Sequence, residues 1–263
     1  MAGKTIVVTS GKGGVGKTTT VANLGTTLAK KKHSVVMIDT DIGLRNLDVV
    51  MGLENRIVYN LVDVIEGKCR KEQAMIRDRK IPNLFMIPAA QTREKNSITP
   101  QQMKELCSNL AAEFDYVLID CPAGIEQGFK NAIAGAEAAL VVTTPEVSAI
   151  RDADRVIGLL EAAMLKHISL IINRLNAKMV KKGDMMSTED IISLLSVPLL
   201  GVVPESDEVV VSTNRGVPLV HDRTSKAGAA FRRIAARLNG ESLPLDGDGS
   251  NGFFGRMKRL IWN

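Results

Sequence analysis

The chain has 263 residues, 45% of them hydrophobic and 24% charged. That is enough to bury a full globular core, and it excludes disorder or a collagen-like repeat as a description of the whole. A net charge of +5 suits phosphate ligands or anionic lipid but is too weak to single out nucleic acid, and 3% aromatic residues argue against a carbohydrate- or base-stacking surface.

Cys69, Cys107 and Cys121 are odd in number and lack C-x-x-C spacing, so a reducing compartment is expected and a disulfide framework is not. His33, His167 and His221 are scattered, and no zinc constellation is visible. No apolar run reaches the roughly 18–20 residues that span a bilayer. The first apolar run, Ile6-Val7-Val8, is too short for a signal peptide.

In chain order, residues 4–9, 34–39, 84–87, 115–120, 139–143, 168–172 and 199–203 read as strands. They are almost continuously apolar, as strands covered on both faces are, which predicts a parallel sheet. Helical patterns fall between them, at about 17–31, 100–112, 147–163, 188–195 and 225–237. This alternation predicts an α/β fold with a doubly wound, mostly parallel sheet and ligands at the carboxyl ends of its strands. The composition shifts after Leu238. Residues 1–238 are expected to form one domain, 239–251 (NGESLPLDGDGSN) a flexible linker and 252–263 (GFFGRMKRLIWN) a terminal amphipathic helix.

The segment 11–18, GKGGVGKT, follows the first strand and opens the first helix, and it fits G-x-x-x-x-G-K-[ST]. Backbone N–H groups around Gly11, Gly13, Gly14, Val15 and Gly16 can line a phosphate, with Thr19 just inside the helix start. Lys17 is expected at the β- and γ-phosphates and the Thr18 hydroxyl on Mg²⁺. Tyr116-Val117-Leu118-Ile119-Asp120 ends an apolar strand in an acid, which in this context suits a second Mg²⁺-organising carboxylate acting through water.

Lys12, at the second position of the loop, is not needed to hold phosphate in cis. With it, the KGGVGKT loop resembles the deviant Walker A group, the ParA/MinD family of P-loop ATPases. The resemblance implies ATP and Mg²⁺ as ligands and an ATP-dependent homodimer in which Lys12 crosses to the partner's nucleotide, tying charge stabilisation to dimerisation. It also places Asp41, in DIGLRNLD (41–48), in a first switch segment that positions the attacking water, with Asp39 nearer the Mg²⁺ shell. DCPAG (120–124) becomes a second switch, with a backbone N–H near Gly124 facing the γ-phosphate, and Cys121 reads as a packed small residue. Asn173-Arg174 and Pro204-Glu205 match the family's adenine contacts, although Ser206 stands where an acid is usual. No N-K-x-D guanine signature is present, which favours ATP over GTP.

At about 100° per residue, Phe253, Phe254, Met257, Leu260 and Ile261 fall within an arc of about 120°, flanked by Arg256, Lys258 and Arg259. This is the pattern of a helix lying in a lipid headgroup layer. Each basic residue contributes about 1 kcal/mol at an anionic surface, so one such peptide binds marginally. Two on a dimer gain up to about 10²–10⁴-fold in avidity.

The loop, DIGLRNLD, DCPAGIE, PEVSAIRDADR (145–155), GDMMS (183–187) and the tail together resemble the division-site branch of the family. That resemblance implies recruitment of the division inhibitor MinC, activation by MinE where present, and control of FtsZ-ring position. It implies a peripheral protein of the cytoplasm and inner membrane, or of the plastid stroma and inner envelope. Arg151, Asp152 and Asp154 match its partner-binding helix. The alternative is a ParA-type DNA-segregation ATPase, for which Arg223, Lys226, Arg232, Arg233 and Arg237 are the candidate basic patch.

Overall fold

The computed structural model describes residues 2–92 and 97–245. The tail residues expected to meet a membrane, and 246–251 of the expected linker, lie outside them. In chain order the elements are β1 (Lys4–Thr9), α1 (Lys17–Lys30), β2 (Val35–Asp39), α2 (Leu47–Met51), α3 (Leu61–Ile65), α4 (Lys71–Ala74), β3 (Ile76–Arg77), β4 (Leu84–Ile87), α5 (Pro100–Ala111) and β5 (Tyr116–Asp120). They continue with α6 (Gln127–Ala134), β6 (Ala138–Thr143), α7 (Val147–Ala162), β7 (His167–Leu175), α8 (Ala177–Lys182), α9 (Thr188–Leu195), β8 (Leu199–Pro204), α10 (Glu208–Asn214) and α11 (Lys226–Leu238).

The eight strands of the described residues form one sheet in the order β3-β4-β2-β5-β1-β6-β7-β8. Every pairing is parallel except the two-residue antiparallel edge strand β3. Strand side chains alternate between two cores. Ile6 and Val8, Val35 and Met37, Tyr116 and Leu118 face α1 and α11. Val7, Val36, Ile38, Val117 and Ile119 face the layer of α5, α6, α7 and α9. This two-sided burial explains the unbroken apolar runs.

The order in which strands are added reverses at β1: β2 and β4 lie on one side, β6, β7 and β8 on the other, and β5 returns to fill the gap beside β1. Asp39 and Asp120 are Cα partners, and Val8 pairs with Asp120. Two strand-terminal acids are thereby set side by side where the phosphate loop begins.

Among the described residues, six α-helices lie outside the sequence reading: α2, α3, α4, α6, α8 and α10, all of eight residues or fewer. Local caps stabilise some of them. Asn60 and Asp63 form a reciprocal box at α3, and Asn176 accepts from the Lys178 and Met179 N–H groups at α8. Beyond α11, the described start of the 239–251 segment lies back on the domain. The Tyr116 hydroxyl donates to Asn239 (2.9 Å), Arg237 donates to the carbonyls of Leu200 (2.9 Å), Leu243 (3.2 Å) and Pro244, and Leu245 packs on the core.

Candidate nucleotide site

The loop from Ser10 to Gly16 turns inward between β1 and α1. Gly16 has φ +101° and precedes the first helical residue. A Cβ there would sit 2.3 Å from Asn173 Nδ2, so both conformation and space demand glycine. The Lys17 side chain is buried, its ammonium donating to Ser10 Oγ (3.0 Å), and Ser10 Oγ donates to the Lys12 carbonyl (2.7 Å). The two lysines of the loop are thus separated. Lys17 is held inside, whereas Lys12, 47% exposed, leans outward to Glu146 Oε2 (3.7 Å) and Ser148 Oγ (3.5 Å) at the start of α7.

Asp39 and Asp120 are only 1% and 2% exposed. Burial pushes Asp39 up to about 6, against the pull of backbone N–H groups that favour its charge. Those N–H groups belong to Asp41 (2.9 Å), Asn46 (3.2 Å) and Leu47 (3.1 Å), so the carboxylate ties the two ends of the 40–46 loop to the start of α2. Burial, then the neighbouring Asp39 charge, holds Asp120 well above the ordinary carboxylate range; the Thr18 hydroxyl and Lys17 pull the other way. Asp120 Oδ1 is buried without a hydrogen-bond partner. A buried, unpartnered oxygen beside a hydroxyl and a second acid is a donor set that a hard divalent cation completes. No group of three His, Cys, Asp or Glu forms a cage among the described residues.

The remaining expected residues gather around the same strand ends. Asp41 is partly exposed in the loop after β2, and Gly124, at φ +90°, follows β5. The Cys121 thiol is buried and pushed up to about 12 by desolvation, which makes it inert packing. Asn173 has a part that the motif alone does not reveal: its amide donates to the Val15 carbonyl (2.7 Å) while its Oδ1 accepts from the Arg174 N–H (2.9 Å). It therefore holds the phosphate loop from β7. Arg174, at φ +58°, is exposed. The Glu205 N–H donates to the Leu175 carbonyl (3.1 Å), and Glu205 Oε2 accepts from Asn176 (2.8 Å), which joins the ends of β7 and β8.

Arg151 and Asp154 are exposed on α7, and Asp152 is half-buried. A Cβ on Gly11 would meet the Asp152 carbonyl oxygen at 2.4 Å, so the phosphate loop rests directly on this helix. Sequence reasoning missed this contact and the outward pairing of Lys12. Their one available signal was an acid and a hydroxyl, Glu146 and Ser148, heading a helix that returns to the loop.

The family model of the CobQ/CobB/MinD/ParA nucleotide binding domain matches residues 6–219. The septum site-determining protein MinD of Bacillus subtilis is 55% identical over 245 residues, 92% of this chain and 91% of that protein. In a solved MinC:MinD cell division protein complex from Aquifex aeolicus, a chain 47% identical superposes with a TM-score of 0.86, covering 92% of this chain and 98% of that one. MinD from Pyrococcus horikoshii, solved with Mg-ADP, is 32% identical with a TM-score of 0.82, covering 90% and 96%. A ParA family ATPase from Chlorobium tepidum, 21% identical at TM-score 0.76, shares the fold alone. The chain belongs to the MinD branch of the deviant Walker A ATPases.

Proposed function

We propose that the chain is the ATP-driven switch of a division-site system: a Mg²⁺-dependent ATPase that dimerises on ATP, attaches to the membrane through its C-terminal peptide and recruits MinC to restrict FtsZ-ring assembly. The role of the relatives in septum-site determination and the solved MinC:MinD complex support this reading. The observation that carries it is the division of labour between two lysines of one loop, Lys17 buried inside and Lys12 half exposed outside.

Mg²⁺, when bound, neutralises charge developing on the β- and γ-phosphate oxygens. Thr18 and Asp120, with Asp39 behind, are the residues that would hold it. Backbone N–H groups from Gly11 to Thr19 would cradle the phosphates, and the Lys17 ammonium would reach the β- and γ-phosphates. Asp41 orients water for in-line attack. Gly124 follows the γ-phosphate by its backbone. Arg174, Pro204 and Glu205 border the base, while Asn173 steadies the loop beneath it. Lys12 leaves Glu146 and Ser148 to reach the partner subunit's nucleotide, so turnover needs the dimer. Arg151, Asp152 and Asp154 offer MinC, and MinE where present, a surface on a helix that touches the phosphate loop. Phe253, Phe254, Arg256, Met257, Lys258, Arg259, Leu260 and Ile261 supply the membrane contact, doubled in the dimer. Relatives of this chain occur in bacteria and algae, which suits either a bacterial cytoplasm or a plastid.

The test is Lys12→Ala. ATP binding is expected to stay within about threefold of wild type while partner-stimulated turnover falls at least about 100-fold, the scale of losing one transition-state donor. Normal stimulated turnover removes the role in trans.

A further inference from the structure

The edge of the sheet opposite the phosphate loop carries a cluster of cations that nucleotide chemistry does not use. Helix α1 runs from the loop to Lys30, about 20 Å away at 1.5 Å per residue. Lys30 Nζ donates to the Val220 carbonyl (3.4 Å). Arg232 donates to the same oxygen (3.3 Å) and to the carbonyls of Asp222 (2.9 Å) and Arg223 (3.4 Å). Two cations, from α1 and α11, therefore meet at one backbone oxygen. Burial, then the charges of Arg232, Arg223 and Lys80, holds the Lys30 ammonium below its ordinary value.

None of these four side chains forms an ion pair among the described residues. The nearby acids bond first to neutral donors, although Asp222 also feels the charge of Arg232. Asp78 Oδ1 accepts from the Lys80 and Ile81 N–H groups (2.7 and 2.8 Å), and Asp222 Oδ1 accepts from the Thr224 N–H and hydroxyl (2.8 and 2.7 Å). Exposed Lys32 and Arg79 extend the basic surface. Asp222 and Asp78 lie among these cations and offset part of their charge, but the cations outnumber them, and an excess of like charge attracts an anionic partner.

The exit of the chain indicates which partner. Lys31, next to Lys30, pairs with Glu241, while Tyr116 and Arg237 hold Asn239, Leu243 and Pro244 along the same edge. The segment passes Lys31 at Glu241, and Leu245, the last described residue, packs on the layer of α5, α6, α7 and α9. We propose that Lys30, Lys80, Arg223 and Arg232 form a headgroup-binding face that meets the anionic phospholipid surface of the bilayer beside the C-terminal peptide. The proposal rests on the reading of that peptide as membrane-seeking. It adds a folded, rigid contact that fixes which edge of the domain faces the lipid. Two of the five arginines and lysines that first suggested a DNA patch, Arg223 and Arg232, belong to this face. Arg237 bonds instead to the carbonyls of Leu200, Leu243 and Pro244, away from the Val220 carbonyl that Lys30 and Arg232 share. Duplex DNA would meet the same charges, but it gives no reason for their place beside the exit.

The experiment is binding of the full chain with ATP to vesicles of phosphatidylglycerol and phosphatidylcholine, and to phosphatidylcholine alone. Three forms are compared: wild type, Lys80→Gln with Arg223→Gln, and Phe253→Ser with Ile261→Ser. Lys80 and Arg223 are exposed and outside the nucleotide site, so solution ATPase and melting should not change. The cation variant is expected to bind phosphatidylglycerol vesicles at least about tenfold more weakly, at about fivefold per charge, with no difference on phosphatidylcholine. Unchanged affinity for phosphatidylglycerol overturns the headgroup face, and so does a wild type that binds neither vesicle. Loss confined to the cation variant, with the peptide variant still bound, upholds the face and removes the peptide reading. A cation variant that keeps vesicle affinity but loses duplex DNA binding gives the face to nucleic acid and overturns the proposal.

Discussion

Strand β5 is bracketed by two aspartates with opposite fates. Asp115, at the edge where the chain exits, accepts from the Ser34 N–H (2.7 Å) and hydroxyl (3.0 Å), and those bonds hold its carboxyl below the ordinary range. Asp120, five residues on, is buried with one oxygen unpartnered and is held well above that range. The pattern extends to the whole of each end. At the exit edge, Thr5 and Glu137 exchange hydrogen bonds, and Asn83 closes the carbonyls of Ala29 and His33. At the nucleotide end, Asp39 and Asp120 share a register pair, and Gly14, Gly16, Gly124 and Arg174 all have positive φ. Polar groups that satisfy one another build the fold; a buried group left unsatisfied marks where a ligand completes it.

Gly16→Ala should break the nucleotide end most severely. The added methyl would lie 2.3 Å from Asn173 Nδ2 at a backbone angle alanine rarely adopts, and titration with a fluorescent ATP analogue should show at least about 100-fold weaker binding. Retained affinity would show that the loop does not need this geometry.

Asp120→Asn tests the cost of the unsatisfied acid. The ligand-free variant should melt about 2–4 °C higher than wild type near pH 8, a gain of about 1 kcal/mol, while losing Mg²⁺-dependent ATP binding. The sign follows from protons bound on folding. A carboxyl raised in the folded state takes up a proton as the chain folds, so its penalty is absent below the unfolded value and complete above the folded one. Through Asp39 alone, the ligand-free chain should lose stability as pH rises from 3.8 to about 6. The advantage of Asp120→Asn should accordingly vanish in acid. An advantage that persists near pH 4 would mean that charge is not its source.

Asn173→Ala removes the bond to the Val15 carbonyl and should weaken ATP about tenfold, near the 1.4 kcal/mol of one buried hydrogen bond, without altering the choice between ATP and GTP. A change in base preference instead would return Asn173 to the adenine pocket. The smallest effect is expected at the exit edge. Tyr116→Phe deletes the bond to Asn239 and should cost about 1 kcal/mol in urea unfolding with turnover unchanged.

The sequence was a good guide wherever a signal is local. Seven strands lie within a few residues of their apolar runs, because two-sided burial imposes a continuous apolar stretch. The phosphate loop was legible because each residue type in it answers a demand of its own backbone. Strand β3 was not legible, since two residues carry no period. Helices α2, α3 and α6 were missed for a related reason: one or two turns are too short to show a 3.6-residue repeat and depend on caps and tertiary contacts.

The sequence by itself determined the fold class, the phosphate loop and the acids after β2 and β5. Only the tertiary structure decided that Asp39 and Asp120 are neighbours, that Asn173 braces the loop and that Lys12 rests on Glu146. It likewise brought Lys30, Lys80, Arg223 and Arg232 to one edge beside the exit of the chain. Motifs report what adjacent residues require of their own backbone. These pairings join residues up to 202 positions apart, from Lys30 to Arg232, through sheet register and helix packing, which no local pattern encodes.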